Sequence, residues 1–340
     1  MTAPILNALL EECDFRLTLR TTLPENLLRT RIKGDFSVIP ETSDFGMLMH
    51  SSLDVDVERS GEAYRVFHQN YEQKVEDEAA SLLAIKPDLI LANIPYLTID
   101  AAARCEIPCV AYCSLNWFEI FSHYFKGVFP EEQKIKKQIG DAYNRADLFL
   151  CPTPSMSMSA LTNIENVGPI AKQNNNIIDL HEKIGCDKQT KIVLVTPGGI
   201  STPIPIESWP QVDHILWVCS WQVDTHRRDI IYCEKIDLSF NEILANCDAV
   251  ITKAGYGIVT ETVCNQVPVL YVTRGDWPEE PHLLKWWKQY GNVGEISRDE
   301  LYAGDVIESL RHLWEMESKS KVEPSGIDDV CSILAKYIEK

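Results

Sequence analysis

Short, nearly continuous apolar runs recur along this chain, separated by stretches whose apolar residues fall three or four apart. Pro87–Asn93 (PDLILAN) and Pro108–Cys113 have almost no polar face, which predicts strands of a parallel sheet covered on both sides. Asp147–Cys151, Lys191–Thr196, His214–Cys219, Ile230–Cys233, Ala249–Thr252 and Val267–Val272 predict further strands, and Tyr290–Glu295 another. Nearer the start, Phe15–Thr21 alternates as a strand does, and Phe36–Ile39 is a second short run. Helical spacing falls between them. Tyr64, Phe67, Tyr71, Val75, Ala79 and Leu82 predict one long helix over Gly61–Ala84. Helices are also predicted over Pro4–Glu11, Ile99–Cys105, Glu131–Arg145, Phe240–Asn246, Ile258–Asn265, Asp305–Met316 and Gly326–Glu339, and over Ile177–Ile184 behind an Asn174-Asn175-Asn176 cap.

Strand–helix–strand spacing of this kind is the βαβ unit of α/β proteins. It repeats in two halves of about 150 residues, joined by a Pro/Ser/Thr/Asn-rich stretch, Pro152–Gln173, with the composition of a linker. The predicted domains are residues 1–155 and 174–320, with the closing helix 326–340 packing back on the first. One feature departs from a doubly wound domain. Such a domain opens on a strand whose glycine loop feeds the first helix, whereas here the helix comes first. The first strand of the N-terminal domain is expected to be missing, by truncation of the chain.

Composition narrows the function. With 340 residues and 45% hydrophobic content, each half can bury a core. The net charge of −18 argues against a nucleic-acid binder or a binder of anionic membranes, both of which need basic patches. Neither an apolar span long enough for a membrane helix nor a signal peptide is evident, so a cytoplasmic location is expected. The eleven cysteines read as buried thiols of a reducing compartment. Neither a metal nor a cofactor is expected.

The most specific chemistry lies between Asp248 and Pro281. The strand Ala249–Thr252 runs through Lys253 and Ala254 into Gly255-Tyr256-Gly257 and a helix. Glycines give backbone freedom and clearance for a close ligand. A helix start presents unpaired N–H groups and a positive dipole end, which suits phosphate. Glu261, four residues past Gly257, stands one turn behind, at a distance that suits a ribose diol. The structural alternative is a tight strand-to-helix turn, with Glu261 complementing the dipole. A second glycine turn, Pro197-Gly198-Gly199, ends the strand Lys191–Thr196. Gly255, Gly257 and Thr260 also half-match the dinucleotide fingerprint, with Asp276 as the ribose acid, which keeps an NAD-dependent oxidoreductase open.

The whole string resembles the donor half of GT-B glycosyltransferases, especially the family 28 type. There an apolar strand leads to a Ser/Ala-Gly turn, a T-x-x-E or T-x-S-E stretch, a short helix and a G-x-P before the next strand. Here these are Ala254-Gly255, Val259-Thr260-Glu261 and Gln266-Val267-Pro268, with Gln266 in place of the usual glycine. Ser43–Ser60, with Asp44, Asp54 and Asp56, and the Asn116-Trp117 pair resemble the glycosyltransferase-like half of L-arabinokinases. The resemblance implies two Rossmann-like domains facing one cleft and transfer of a sugar from a nucleotide diphosphate donor, most simply a UDP-sugar. It implies that Gly198, Gly199, Lys253, Ala254, Gly255, Tyr256, Gly257, Thr260 and Glu261 hold the nucleotide diphosphate, and that Asp276, Glu279 and Glu280 of an acidic loop meet the sugar hydroxyls. The catalytic base is not assigned, because the loop that commonly supplies it in the family follows the missing strand. A non-catalytic nucleotide-sugar binder of the same fold remains the alternative.

Overall fold

The computed structural model describes residues 1–338 except 175, 200, 201 and 203. It divides into two compact units. Unit 1 holds residues 1–48, 55–170 and 325–340, and unit 2 holds 49–54 and 171–324.

In chain order the first unit runs α1 (Thr2–Glu12), β1 (Leu17–Arg20), α2 (Glu25–Arg31), β2 (Phe36–Ile39), α3 (Val57–His68), α4 (Tyr71–Ile85), β3 (Ile90–Ala92), α5 (Tyr96–Arg104), β4 (Cys109–Tyr112), α6 (Trp117–Phe125), α7 (Glu132–Tyr143), β5 (Leu148–Pro152) and β6 (Ile164–Val167). The second runs α8 (Leu180–Ile184), β7 (Lys191–Thr196), β8 (Ile215–Cys219), β9 (Ile230–Tyr232), α9 (Phe240–Asn246), β10 (Ala249–Lys253), α10 (Tyr256–Cys264), β11 (Val269–Val272), α11 (Glu280–Tyr290), β12 (Val293–Glu295), α12 (Arg298–Ala303) and α13 (Ile307–Glu315). The last helix, α14 (Gly326–Ile338), returns to unit 1 and packs on α1.

Unit 2 is one parallel sheet in the order β12-β11-β10-β7-β8-β9. From β7 the chain winds outward through β8 and β9, then returns to β10 on the other side of β7 and winds outward again. The direction therefore reverses between β7 and β10. In an open parallel sheet the crevice at that reversal, outside the strand carboxyl ends, is where ligands bind. Val193, Val195, Trp217, Ile251 and Leu270 line one buried face of the sheet, in one core with Trp209, Leu301, Leu310 and Leu313. Leu53, from the short early stretch, is buried in the same core.

Unit 1 has a parallel pair, β1-β2, and a separate parallel sheet, β3-β4-β5-β6. Among the described residues no strand joins the two.

Several elements differ from the sequence-based expectation. The helix expected over Gly61–Ala84 is two, α3 and α4, broken at Gln69-Asn70. Asp56 starts α3 by accepting from the Arg59 backbone N–H, and His68 and Tyr71 stack across the break with ring centroids 4.9 Å apart. The helix expected from Ile177 begins at Leu180, capped by Asp179, and Asn175 lies outside the described residues. The stretch read as a linker contains β6, an edge strand with three exposed residues out of four and so no apolar signature. The acidic loop ends sooner than expected, because Glu280 opens α11. Its Pro281 sits in the first turn, where proline removes only an N–H that has no intrahelical partner.

Candidate functional site

The site is built where β10 and β7 end side by side. Thr252 pairs with Thr196, so the turns that follow both strands emerge together. On one side Gly255 is the N-cap of α10, with extended backbone and no side-chain cap. On the other side Gly198 has φ +108°, a left-handed conformation that only glycine adopts without strain.

Lys253 links the two turns. A Cβ on Gly198 would lie 3.3 Å from its Cε, and one on Gly255 would lie 3.0 Å from its Nζ. Glycine at both positions is what lets the side chain lie there. Burial lowers the Lys253 pKa to about 8. The nearby Arg274 guanidinium acts in the same direction, and Glu279 and Glu280 oppose it.

Around this point the site residues separate into two groups. A Cβ at Gly199 or Gly257 would meet nothing within 4 Å, so both face open space. Gly257 lies within α10 and has no left-handed backbone, so it supplies clearance and not the φ freedom expected of it. Tyr256 is buried in the first turn, and Ala254 is fully buried. Glu261 lies in the second turn, half-exposed. Thr260 is fully buried, and its hydroxyl donates back to the carbonyls of Tyr256 (3.1 Å) and Gly257 (3.2 Å).

The acids beyond β11 are placed differently from one another. Asp276 is exposed. Glu279 and Glu280 are each only 4% exposed, so they are not the solvent-facing pair that an acidic loop suggests. Glu280 accepts from the backbone N–H of Arg274 (2.9 and 3.0 Å) and of Gly275 (3.3 Å), and Glu279 accepts from Trp277 Nε1 (3.1 Å). Burial raises the pKa of Glu280. Both carboxylates thus fasten the loop between β11 and α11.

Sequence reasoning missed Arg274. It stands two residues past β11, as Gly255 stands two past β10, and its guanidinium lies 4.0 Å from the centroid of the Trp277 ring. Its carbonyl accepts from Arg298 Nη2 at 3.0 Å, while Arg298 Nη1 reaches Asp54 at 2.6 Å. The available signal was a cation just beyond a strand end in a stretch otherwise acidic. Arg274 also bears on the oxidoreductase reading. A ribose-binding acid belongs at the tip of β11, and Thr273 and Arg274 stand there instead.

Asp54 is therefore an ion-pair partner, and Arg298 lowers its pKa. Asn116 caps α6 by accepting from Glu119 N–H (2.8 Å). Among the described residues no group of three or more His, Cys, Asp or Glu side chains is placed to hold a metal. Among them, too, no helix is long and apolar enough to cross a membrane.

No protein-family model matches the chain. L-arabinokinase of Arabidopsis thaliana is 23% identical over 238 residues, which is 68% of this chain but only 22% of the plant protein. Solved structures align over the full length. The calicheamicin glycosyltransferase CalG4 has a TM-score of 0.63 at 13% identity, covering 100% of this chain and 94% of its own. Os79 from O. sativa, solved with UDP and deoxynivalenol-3-glucoside, has 0.54 at 16% identity, covering 99% and 98%. MnaA of S. aureus, solved with UDP, has 0.57 at 15% identity, covering 99% and 93%. These likenesses do not single out the family 28 type. The structural matches agree with the reversed winding of unit 2: the chain is an α/β protein of the GT-B glycosyltransferase fold.

Proposed function

We propose that this protein transfers a sugar from a nucleotide diphosphate donor, a UDP-sugar in the simplest case, to a hydroxyl-bearing acceptor. The observation that carries this reading is the pair of glycine turns at the reversal of unit 2, with Lys253 lying against both. Backbone N–H groups from Gly255, Tyr256 and Gly257 at the start of α10 take the diphosphate. Lys253 and Arg274 supply positive charge to the same anion. Gly198, Gly199 and Gly257 leave the room it needs. Glu261 accepts from the ribose hydroxyls. Asp276 meets the donor sugar, while Glu279 and Glu280 hold the loop that presents it. Ala254 and Thr260 act by packing the turn.

The fold and the UDP bound to two of its neighbours support this reading. We further propose that the reaction is cytoplasmic. Isothermal titration with UDP and other nucleoside diphosphates is the first test. Micromolar binding of one of them is expected, and absence of heat with all of them would count decisively against the donor site. Binding without turnover of any nucleotide sugar would instead favour the non-catalytic alternative.

A further inference from the structure

The charge on Lys253 is poorly served by its surroundings in the ligand-free protein. The side chain is half-buried, and among the described residues its Nζ makes neither a hydrogen bond nor an ion pair. Buried charges are normally paired, because leaving water costs a lone ion heavily. Other lysines of the chain follow that rule. Lys137, Lys188 and Lys191 are more exposed, and each is paired with an aspartate, Asp141, Asp179 and Asp248 respectively.

The neighbours of Lys253 suit an anion better than a cation. Arg274, of like charge, adds to burial in disfavouring the ammonium. The start of α10, whose N-cap is Gly255, places the positive end of a helix dipole beside Nζ. Glu279 and Glu280 favour the ammonium, but their carboxylates are turned elsewhere. Glu279 accepts from Trp277 Nε1, and Glu280 from the backbone of Arg274 and Gly275.

There is also space at the amine. A Cβ on Gly198 or on Gly255 would meet only the Lys253 side chain within 4 Å, and one on Gly199 would meet nothing. The glycine side of Nζ is therefore clear of other side chains. Lys253 keeps part of its surface in solvent, so a molecule of three atoms reaches it without opening the fold. All of these residues belong to unit 2.

We propose that Lys253 is a carbamylation site: its amine adds carbon dioxide, and the carbamate so formed fills the anion place between the two glycine turns. Carbon dioxide and the nucleotide diphosphate then compete for that place, a consequence that rests on the glycosyl-transfer reading above. The amine lone pair bonds to the carbon of CO2. One C–O π bond breaks, and its electrons settle on oxygen. A proton leaves the nitrogen for solvent, and nothing is oxidised or reduced. An unpaired cation beside Arg274 becomes an anion beside it, held also by the dipole of α10.

The chemistry requires a neutral amine, and the site supplies one. Burial brings the Lys253 pKa down to about 8. At that pH about half of the amines are neutral, against roughly one in 300 for a lysine at its ordinary value of 10.5.

Three measurements on the whole protein test the proposal. Carbon NMR in isotope-labelled bicarbonate near pH 8 should show a carbamate signal that Lys253→Met removes, while any carbamate on an α-amino group persists. Trapping with triethyloxonium ion, followed by peptide mass spectrometry of the parent, should place the ethyl carbamate on Lys253; this readout does not depend on how the variant folds. Calorimetry with UDP supplies the third. At a level of dissolved CO2 that loads half of the lysines, apparent UDP affinity should fall about twofold against CO2-free buffer of equal pH and ionic strength, and Lys253→Met should show no such fall. A signal that is absent, or that survives Lys253→Met unchanged, overturns the proposal, as does a trapped group found only on other residues. Weaker UDP binding without a trapped product makes bicarbonate an ordinary competing anion and overturns it as well. A carbamate that forms on Lys253 and leaves UDP affinity unchanged overturns its placement at the anion site. A parent that does not bind UDP in CO2-free buffer sinks the transferase reading instead, while the NMR and the trapping, done without nucleotide, still decide the carbamate.

Discussion

Replacing Lys253 by Met should make the ligand-free protein more stable and the donor site worse. The lysine is half-buried, with its ammonium against Gly198 and Gly255 and beside Arg274. Its pKa falls from 10.5 to about 8. At ~1.4 kcal/mol per pH unit this is a penalty of ~3 kcal/mol on folding with the charge in place. Residual hydration at a half-buried site softens it, so we expect a net gain of ~1–2 kcal/mol. Methionine keeps most of the stem packing and removes the charge. The melting temperature should rise by about 2–8 °C, given ~2–4 °C per kcal/mol for a domain of this size.

The sign with pH is fixed. Below about pH 8 the parent's lysine is charged both folded and unfolded, so the full penalty applies. Between about 8 and 10.5 the unfolded state binds the extra proton, so parent stability gains on the variant as pH rises. The gap between the two should therefore close across that window in thermal melts. Calorimetry with UDP gives the other half. Loss of a charge-assisted bond to phosphate, ~1.5–3 kcal/mol, predicts an affinity lower by about 10- to 100-fold. A variant that melts lower than the parent and binds UDP equally well would refute both the strained environment and the phosphate role.

Glu261→Gln should leave the ligand-free melting temperature within about a degree, because a dipole role is worth only ~0.3–1 kcal/mol, and should weaken UDP binding about tenfold by calorimetry if it bonds the ribose. Gly257→Val should fold, since its Cβ meets open space, yet lose most UDP affinity by filling that space; unchanged affinity would place the anion elsewhere. Leu53→Ala should destabilise unit 2 by ~2–5 kcal/mol in denaturant melts, because it empties a place in the tryptophan-lined core.

The strands of unit 2 were legible because a doubly covered parallel strand has no polar face, and β7, β8, β10 and β11 are almost wholly buried. Helices that begin with unusual residues were harder. α11 opens Glu280-Pro281, which reads as a loop until Leu283 and Trp287 are seen to share a buried face. α12 is short, though its Ser297–Glu300 capping box is present in the sequence. The two glycine turns could each be read from their own strand. Their meeting at Lys253 could not, because it depends on β10 returning beside β7. The acids past β11 were legible as charges, but not as buried hydrogen-bond acceptors turned onto Arg274, Gly275 and Trp277.

The six residues from Met49 to Asp54 impose an order on synthesis. Ser52 donates its N–H to the hydroxyl of Thr202, 150 positions later, at 3.1 Å, and Leu53 belongs to a core whose strands are all made after residue 190. At ~5–20 residues per second, this segment waits about 8–30 s for its partners. The first unit waits longer still, since α14 (Gly326–Ile338) closes against α1 (Thr2–Glu12). Neither half can reach its final form on the ribosome independently of the other. A fragment spanning only 171–324 would lack the buried Leu53, and one ending at 170 would expose the face of α1 that α14 covers. Cutting this chain into separately expressed halves should therefore yield aggregation-prone pieces, whereas co-expressing a fragment ended at 170 with one begun at 171 would restore both interlocks.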